Sequence, residues 1–291
     1  MTGSAPGTAA ATATGPVAGA GRSDGAVLAV DLSCSGLAVA SAAASVVLDP
    51  VVAPVSVLAA MDGSSLPPGG DRLECSERSE AAAARFPDRC LADPARTVHR
   101  SRVDVAGLSV PVAELLAAPV ARALRWSGDA GEDVVLLAPS DWGVSRTSRL
   151  TAAVRDLGVE ARVVRSALAT AEALSSSSSR WAVCVETCRT RTTVGLVERT
   201  RAGLTLVDRA VVHRRDPARD GLVDDEVRRI LDAIAEVRRR RREAGTGSTE
   251  VLARGRLAER VVDACDRARL LSFVVPPIAP ADAASRLYAA W

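Results

Sequence analysis

The chain has 291 residues, is 48% hydrophobic and carries a formal net charge of +2. It has apolar residues enough to bury a core as one large domain or two lobes, and too little charge to draw nucleic acid or an anionic membrane to its surface. All 37 basic residues are arginine, and the missing lysine removes the Walker-type phosphate lysine, the Schiff base and the lysine general base.

Residues 1–25 are mostly Ala, Gly, Thr and Ser with almost no large apolar side chain. Such a segment cannot offset the entropy lost on ordering, so a disordered tail is expected, and it lacks the basic start and apolar middle of a signal peptide. Residues 26–30 and 36–42 read as short strands around a polar turn, with 46–48 and 55–59 continuing an antiparallel meander. The uncharged stretch 32–48 is bracketed by Asp31 and Asp49 below spanning length, so no transmembrane helix is expected. Residues 61–80, rich in Gly, Pro, Ser and charge, read as a loop.

A strand is expected near 103–105. Ser109-Val110-Pro111 then reads as a helix start, with Val112, Leu115, Leu116, Val120, Ala123 and Leu124 on one face and a kink at Pro119. The continuous apolar run 134–139 has the character of a strand covered on both faces. Leu150, Ala153, Val154 and Leu157 fall at helical spacing before Gly158, and 161–164 returns as a strand, completing a β-α-β unit.

The serine run 175–179 is expected to link a first lobe, 26–174, to a second, 180–291. The second lobe opens with strands in "VCVETCRTRTTVGLVERTRAGLTLVDRAVV", continues with a helix over about 222–242, a short strand at Val251-Leu252 and a helix with Leu257, Val261, Val262, Cys265 and Ala268 on one face. A terminal helix from Pro280 closes it. The arginine run 238–242 reads as a solvated helix end rather than a nucleic-acid patch, since no aromatic residues interleave it.

Six irregularly spaced cysteines do not make a disulfide framework and fit a reducing, cytoplasmic setting. Cys184 and Cys188 have no histidine nearby to complete a zinc tetrahedron, and His99 and His213 stand outside any ligand-spaced cluster. No GxSxG elbow is present, which disposes of a serine hydrolase. Trp142 or Trp291, if exposed, would suit an interface anchor.

The order of pieces across about 26–291 resembles the ATPase domain of the seventy-kilodalton heat-shock chaperones, in the actin, sugar-kinase and heat-shock superfamily. "VLAVDLSCSGLAVA" is similar to that family's first phosphate loop, with Asp31 kept and Ser33, Cys34 and Ser35 in the turn. "VVLLAPSDWGVSRTSRLTAAVRDLGVEARVVRSALATAEAL" resembles its strand, Pro-turn, helix, strand and Asn-Glu-Pro helix, with Arg165, Ser166 and Ala167 in the last motif. The second phosphate loop has Glu186 at its Asp position and Cys188, Arg189 and Thr190 at its three glycines. "VLARGRLAERVVDACDRARL" resembles the adenosine-side strand and helix, with Gly255 left of a glycine pair. The chain also resembles an actinobacterial group of compact, Ala/Val/Arg-rich, type VII secretion-associated proteins of this kind.

The resemblance implies an α/β, actin-like ATPase fold of two lobes, each a mixed sheet flanked by helices, compact and with reduced subdomains. Asp31, Ser33, Ser35, Glu186, Arg189, Thr190 and Gly255 would line a vestigial nucleotide cleft. Glycines in a phosphate hairpin let backbone N–H groups reach phosphate, and a β-carbon costs about 1–2 kcal/mol in left-handed geometry, so three replacements should spoil the cradle. No catalytic residue, metal site or cofactor is therefore expected.

The leading expectation is a non-catalytic chaperone-like scaffold whose partner is a secretion-system component or substrate. The chain stops where a full chaperone would continue into a peptide-binding domain and lid. The alternative is a divergent Mg-dependent ATPase or small-molecule kinase, with Arg189 or Arg191 clamping phosphate and Asp31 and Glu186 holding hydrated magnesium.

Overall fold

The computed structural model describes residues 27–33, 37–41, 44–48, 52–62, 73–91, 94–128, 133–174, 179–188, 191–213, 223–242 and 249–289. In chain order, β1 (Val27–Asp31), β2 (Leu37–Ala40) and β3 (Ser45–Leu48) form a meander. A small insertion follows, made of β4 (Ala53–Pro54), α1 (Val55–Asp62), β5 (Leu73–Glu74) and α2 (Glu77–Arg85). The hairpin β6 (Arg102–Val105) and β7 (Leu108–Pro111) leads into α3 (Val112–Ser127), and β8 (Asp133–Ala138), α4 (Val144–Arg155) and β9 (Ala161–Arg165) complete the β-α-β unit. After α5 (Ser166–Ala173) come β10 (Trp181–Thr187), β11 (Arg191–Thr200) and β12 (Gly203–His213), then α6 (Val223–Arg242), β13 (Thr249–Gly255), α7 (Ala258–Arg267), β14 (Ser272–Val274) and α8 (Ala279–Ala289).

The strands make two five-stranded mixed sheets, β3-β2-β1-β8-β9 and β12-β11-β10-β13-β14. Numbered within itself, each sheet has the same order, three antiparallel meander strands followed by two parallel ones. The apolar runs Val27–Asp31, Asp133–Ala138 and Trp181–Thr187 sit inside these sheets and are covered on both faces, as continuous rather than alternating hydrophobicity requires.

Helices α5 and α8 lie between the sheets. Ala169, Ala281 and Ala284 pack on Ala29, Ala38, Val135 and Leu137 of the first sheet. Ala167, Ala171 and Ala279 pack with Ala182, Cys184 and Leu252 of the second. Small side chains let one helical layer serve both sheets, and Gly195 shows how tight the fit is, since a Cβ there would lie 3.3 Å from the Ala167 methyl and 3.0 Å from Leu206 Cδ1. The closing helix thus packs on the first sheet although it follows the second in the chain. Outside, Leu115, Leu116, Val120 and Leu150 of α3 and α4 cover the first sheet, and Ile230, Ile234 and Val261 of α6 and α7 cover the second. Each such buried side chain contributes about 1.5–3 kcal/mol relative to exposure.

Several local expectations change. Residues 55–59 are the start of α1 rather than a strand, because Val57 and Leu58 are buried side by side against Ala82 instead of alternating, and the Leu-Ala-Ala-Met sequence that follows favours helix. The stretch 61–80 is only partly loop. Ser76 accepts a hydrogen bond from the Ser79 N–H and caps α2, whose first turn carries Glu77 and Glu80 and whose last carries Arg85, the polarity a helix dipole favours. Ser109-Val110-Pro111 belongs to β7, and α3 starts one residue later and runs through Pro119. The strand β14 was not anticipated. Trp142 is fully buried and cannot anchor an interface, while Trp291, residues 1–25 and most of the serine run lie outside the described residues. No described helix is long and apolar enough to cross a membrane.

Candidate functional site

The two strand ends singled out in the sequence meet between the sheets. Asp31 closes β1, is 2% exposed, and accepts from the Ser33 N–H at 2.8 Å and from the Ser33 hydroxyl. This local turn fixes the carboxylate direction without any glycine. From the other sheet, Arg254 on β13 places Nη2 at 2.6 Å from Asp31 Oδ2 and also donates to Ser33 Oγ. Both side chains of the pair are 2% exposed. A second link lies beside it, where the Cys188 thiol donates to the Ser33 carbonyl at 2.9 Å.

Arg254 is held from behind by Thr187. The Thr187 hydroxyl donates to the Arg254 carbonyl at 2.9 Å and accepts from the Leu257 N–H at 2.9 Å, while the Thr187 carbonyl accepts from the Arg256 N–H at 3.1 Å. Gly255 makes this possible. Its φ is +89° and a Cβ would sit 2.3 Å from the Thr187 carbonyl oxygen. Gly255 thus lets two backbones approach and aims the arginine before it.

Glu186 lies on β10 in register with Arg254, so both side chains leave the same face of the second sheet. It is 1% exposed, and among the described residues no aligned hydrogen bond reaches either carboxylate oxygen. Burial pushes its carboxyl above the ordinary range. Arg254 opposes that rise, as do the Ser166 and Ser140 hydroxyls beside it, whereas Asp31 adds to it. Those serines bond each other at 3.1 Å, and Ser140 Oγ accepts from the Ala167 N–H at 2.8 Å, which uses one of the two hydroxyl protons and leaves the other for Glu186.

A carboxyl whose folded pKa is raised holds its proton longer in the folded state than in the unfolded one. Stability therefore falls as pH rises from the ordinary value of 4.5 and levels off once the folded carboxyl has ionised. Glu186→Gln removes the charge and keeps the shape. Urea unfolding at a series of pH values is expected to show the variant level with wild type in acid and increasingly more stable above about pH 4.5; a variant less stable at every pH would contradict the assignment.

Asp31, Ser33, Glu186 and Gly255 are thus brought together, while Ser35, Arg189 and Thr190 lie outside the described residues. Arg191, the other arginine considered as a phosphate clamp, instead pairs with Asp141 at 3.1 Å. The sequence reading missed Arg254. Its signal was present in "ARGR", where an arginine stands next to Gly255. A magnesium ion does not fit this arrangement, because the Asp31 oxygen that would face it already carries a guanidinium. Among the described residues no three His, Cys, Asp or Glu side chains gather as a metal would need. The pair itself lines a cavity of about 710 Å³, whose walls include Gly255, Arg256, Glu259 and Arg260 as well as apolar Val47 and Val275. Arg256 is itself paired with Glu226 at 3.0 Å. No protein-family model matches the sequence, and no curated protein matches it.

Proposed function

We propose that the chain is a non-catalytic, chaperone-like scaffold of the actin-like superfamily, cytoplasmic and associated with type VII secretion, that works by binding a protein partner. The observation that carries the non-catalytic part is the buried Asp31–Arg254 pair. An internal guanidinium sits on the carboxylate that a nucleotide-bound cation would use, and displacing it would leave a buried charge without its partner. One strand order repeated in two sheets, with α5 and α8 shared between them, supports the two-lobed actin-like reading. The partner and the secretion role rest on the sequence resemblance.

The alternative, a divergent ATPase or small-molecule kinase, draws on the 710 Å³ cavity, which has room for a nucleoside. Calorimetric titration with ATP and magnesium separates the two. No heat is expected at millimolar ATP; binding tighter than about 100 μM that Asp31→Ala abolishes would establish the nucleotide site instead. Affinity capture from the native organism tests the partner, and recovery of no secretion-system component or substrate would count against the scaffold role.

A further inference from the structure

Each sheet has two outer strands, and the four edges are not alike. β9 carries Arg162 and Arg165, and β12 carries a bulge at Val207 followed at once by Asp208 and Arg209. Charges and bulges keep an open strand edge from recruiting another chain. β3 (Ser-Val-Val-Leu) and β14 (Ser-Phe-Val) have neither. They instead leave Val47, Phe273 and Val274 exposed, with exposed Leu271 just ahead of β14.

The two unguarded edges border one cavity. Asp31, Ala38 and Val47 stand side by side across the first sheet and form one wall, while Val274, Val275 and Pro277 at the end of β14 form another. The backbone of β14 is open as well. The Leu271 carbonyl accepts from the Val251 N–H and the Val275 N–H donates to the Ala253 carbonyl, both at 2.8 Å. Alternate residues thus bond inward to β13, and the N–H and C=O groups of Ser272 and Val274 point to the outer edge. Among the described residues no strand pairs with that edge.

We propose that this groove is the partner site of the scaffold: an extended, uncharged aliphatic segment of another protein pairs with the outer edge of β14 and lays side chains into the cavity against Val47 and Val274.

Backbone pairing supplies affinity in such a mode, and the cavity selects the side chains. The charges around the cavity call for no ionic ligand. Asp31 and Arg254 neutralise each other, Arg256 pairs with Glu226, and Glu259 and Arg260 at the rim are one of each sign. Its apolar walls are Val, Ala, Leu and Pro, and about 710 Å³ gives room for several aliphatic side chains. A second copy of this chain fits poorly. Two three-residue edges laid together, each about 10 Å long, would bury far less than the roughly 1,200 Å² of a stable interface.

A partner site presupposes a scaffold, and two readouts keep them apart. Fluorescence anisotropy follows labelled, capped peptides of about six residues, made of Val, Ile, Leu, Thr and Ser, as full-length protein is added; a matched set carries Asp or Arg at the centre. Several uncharged peptides are expected to bind with Kd below about 100 μM, and the charged ones about tenfold more weakly or worse. N-methylation of alternate peptide amides keeps every side chain and removes pairing donors, so it should weaken binding by about tenfold or more. Val47→Arg and Val274→Arg should do the same, with urea unfolding to show that both variants are folded. Binding of no uncharged peptide at about 1 mM overturns the proposal, as does equal binding of the N-methylated peptides or equal binding by both variants. A dimer in sedimentation that Val274→Arg dissociates assigns the edge to a second copy and overturns it too. If peptides bind while affinity capture recovers no secretion-system protein, the site stands and the secretion role falls. If no peptide binds while wild type and Val274→Arg capture the same partner, the scaffold stands and this surface falls.

Discussion

Arg254→Ala is expected to destabilise the protein by about 3–5 kcal/mol in urea unfolding, the range for removing one partner of a buried ion pair. Asp31 is 2% exposed and, among the described residues, would keep the Ser33 N–H and hydroxyl as donors, both from its own turn. A domain stability of about 5–15 kcal/mol makes this a large share of the whole. The pair itself need not be worth so much. Changing both residues to apolar ones of similar size, Asp31→Leu with Arg254→Met, should recover most of the loss, because the desolvation of both charges then disappears together. The double-mutant cycle is thus expected to show strong coupling between two residues 223 positions apart in the chain. A single-variant loss below about 1 kcal/mol would place the pair in the class of solvent-screened surface bridges and remove its claim to hold the cleft.

The same residues explain what the sequence could and could not reveal. Strands such as Val27–Asp31, Asp133–Ala138 and Trp181–Thr187 were legible because burial on both faces demands an unbroken apolar run. Helices α3, α4, α6 and α7 were legible because each buries one stripe at helical spacing. Helix α1 was not, since Val-Ser-Val imitates strand alternation for three residues before the helical packing on α2 becomes decisive. Strand β14 has three residues, with Phe273 and Val274 largely exposed, and is defined by pairing with β13 rather than by any pattern of its own. Such a strand has no local signature.

In the site, Asp31, Glu186 and Gly255 were singled out by the resemblance of their segments to phosphate-loop and adenosine-side motifs, and each stands at the end of a strand. Arg254 could not be assigned in the same way. In isolation an arginine beside a glycine at a strand end is as compatible with a solvated rim as with a buried bridge. What decides between them is the distance between two sheets, set by the alanines of α5 and α8 that let the sheets share one helical layer. The chemistry of the cleft thus depends on packing remote from the cleft itself.

Gly255→Ala is the second large effect, and it tests that dependence from the backbone side. The residue has φ +89°, where a side chain costs about 1–2 kcal/mol through its Cβ alone. The added Cβ would meet the Thr187 carbonyl oxygen at 2.3 Å, so β10 and β13 must separate at this point. Separation strains the bonds that Thr187 makes to the Arg254 carbonyl and to the Leu257 and Arg256 N–H groups, each worth about 1 kcal/mol net. A loss of about 3–4 kcal/mol is expected from backbone strain and two broken bonds. Part of that loss arises because Arg254 is no longer aimed at Asp31. In an Arg254→Ala background the glycine substitution should therefore cost measurably less than in wild type, the non-additivity expected of residues that share one network. If the two losses simply add, Gly255 serves the strand crossing alone and has no part in directing the arginine.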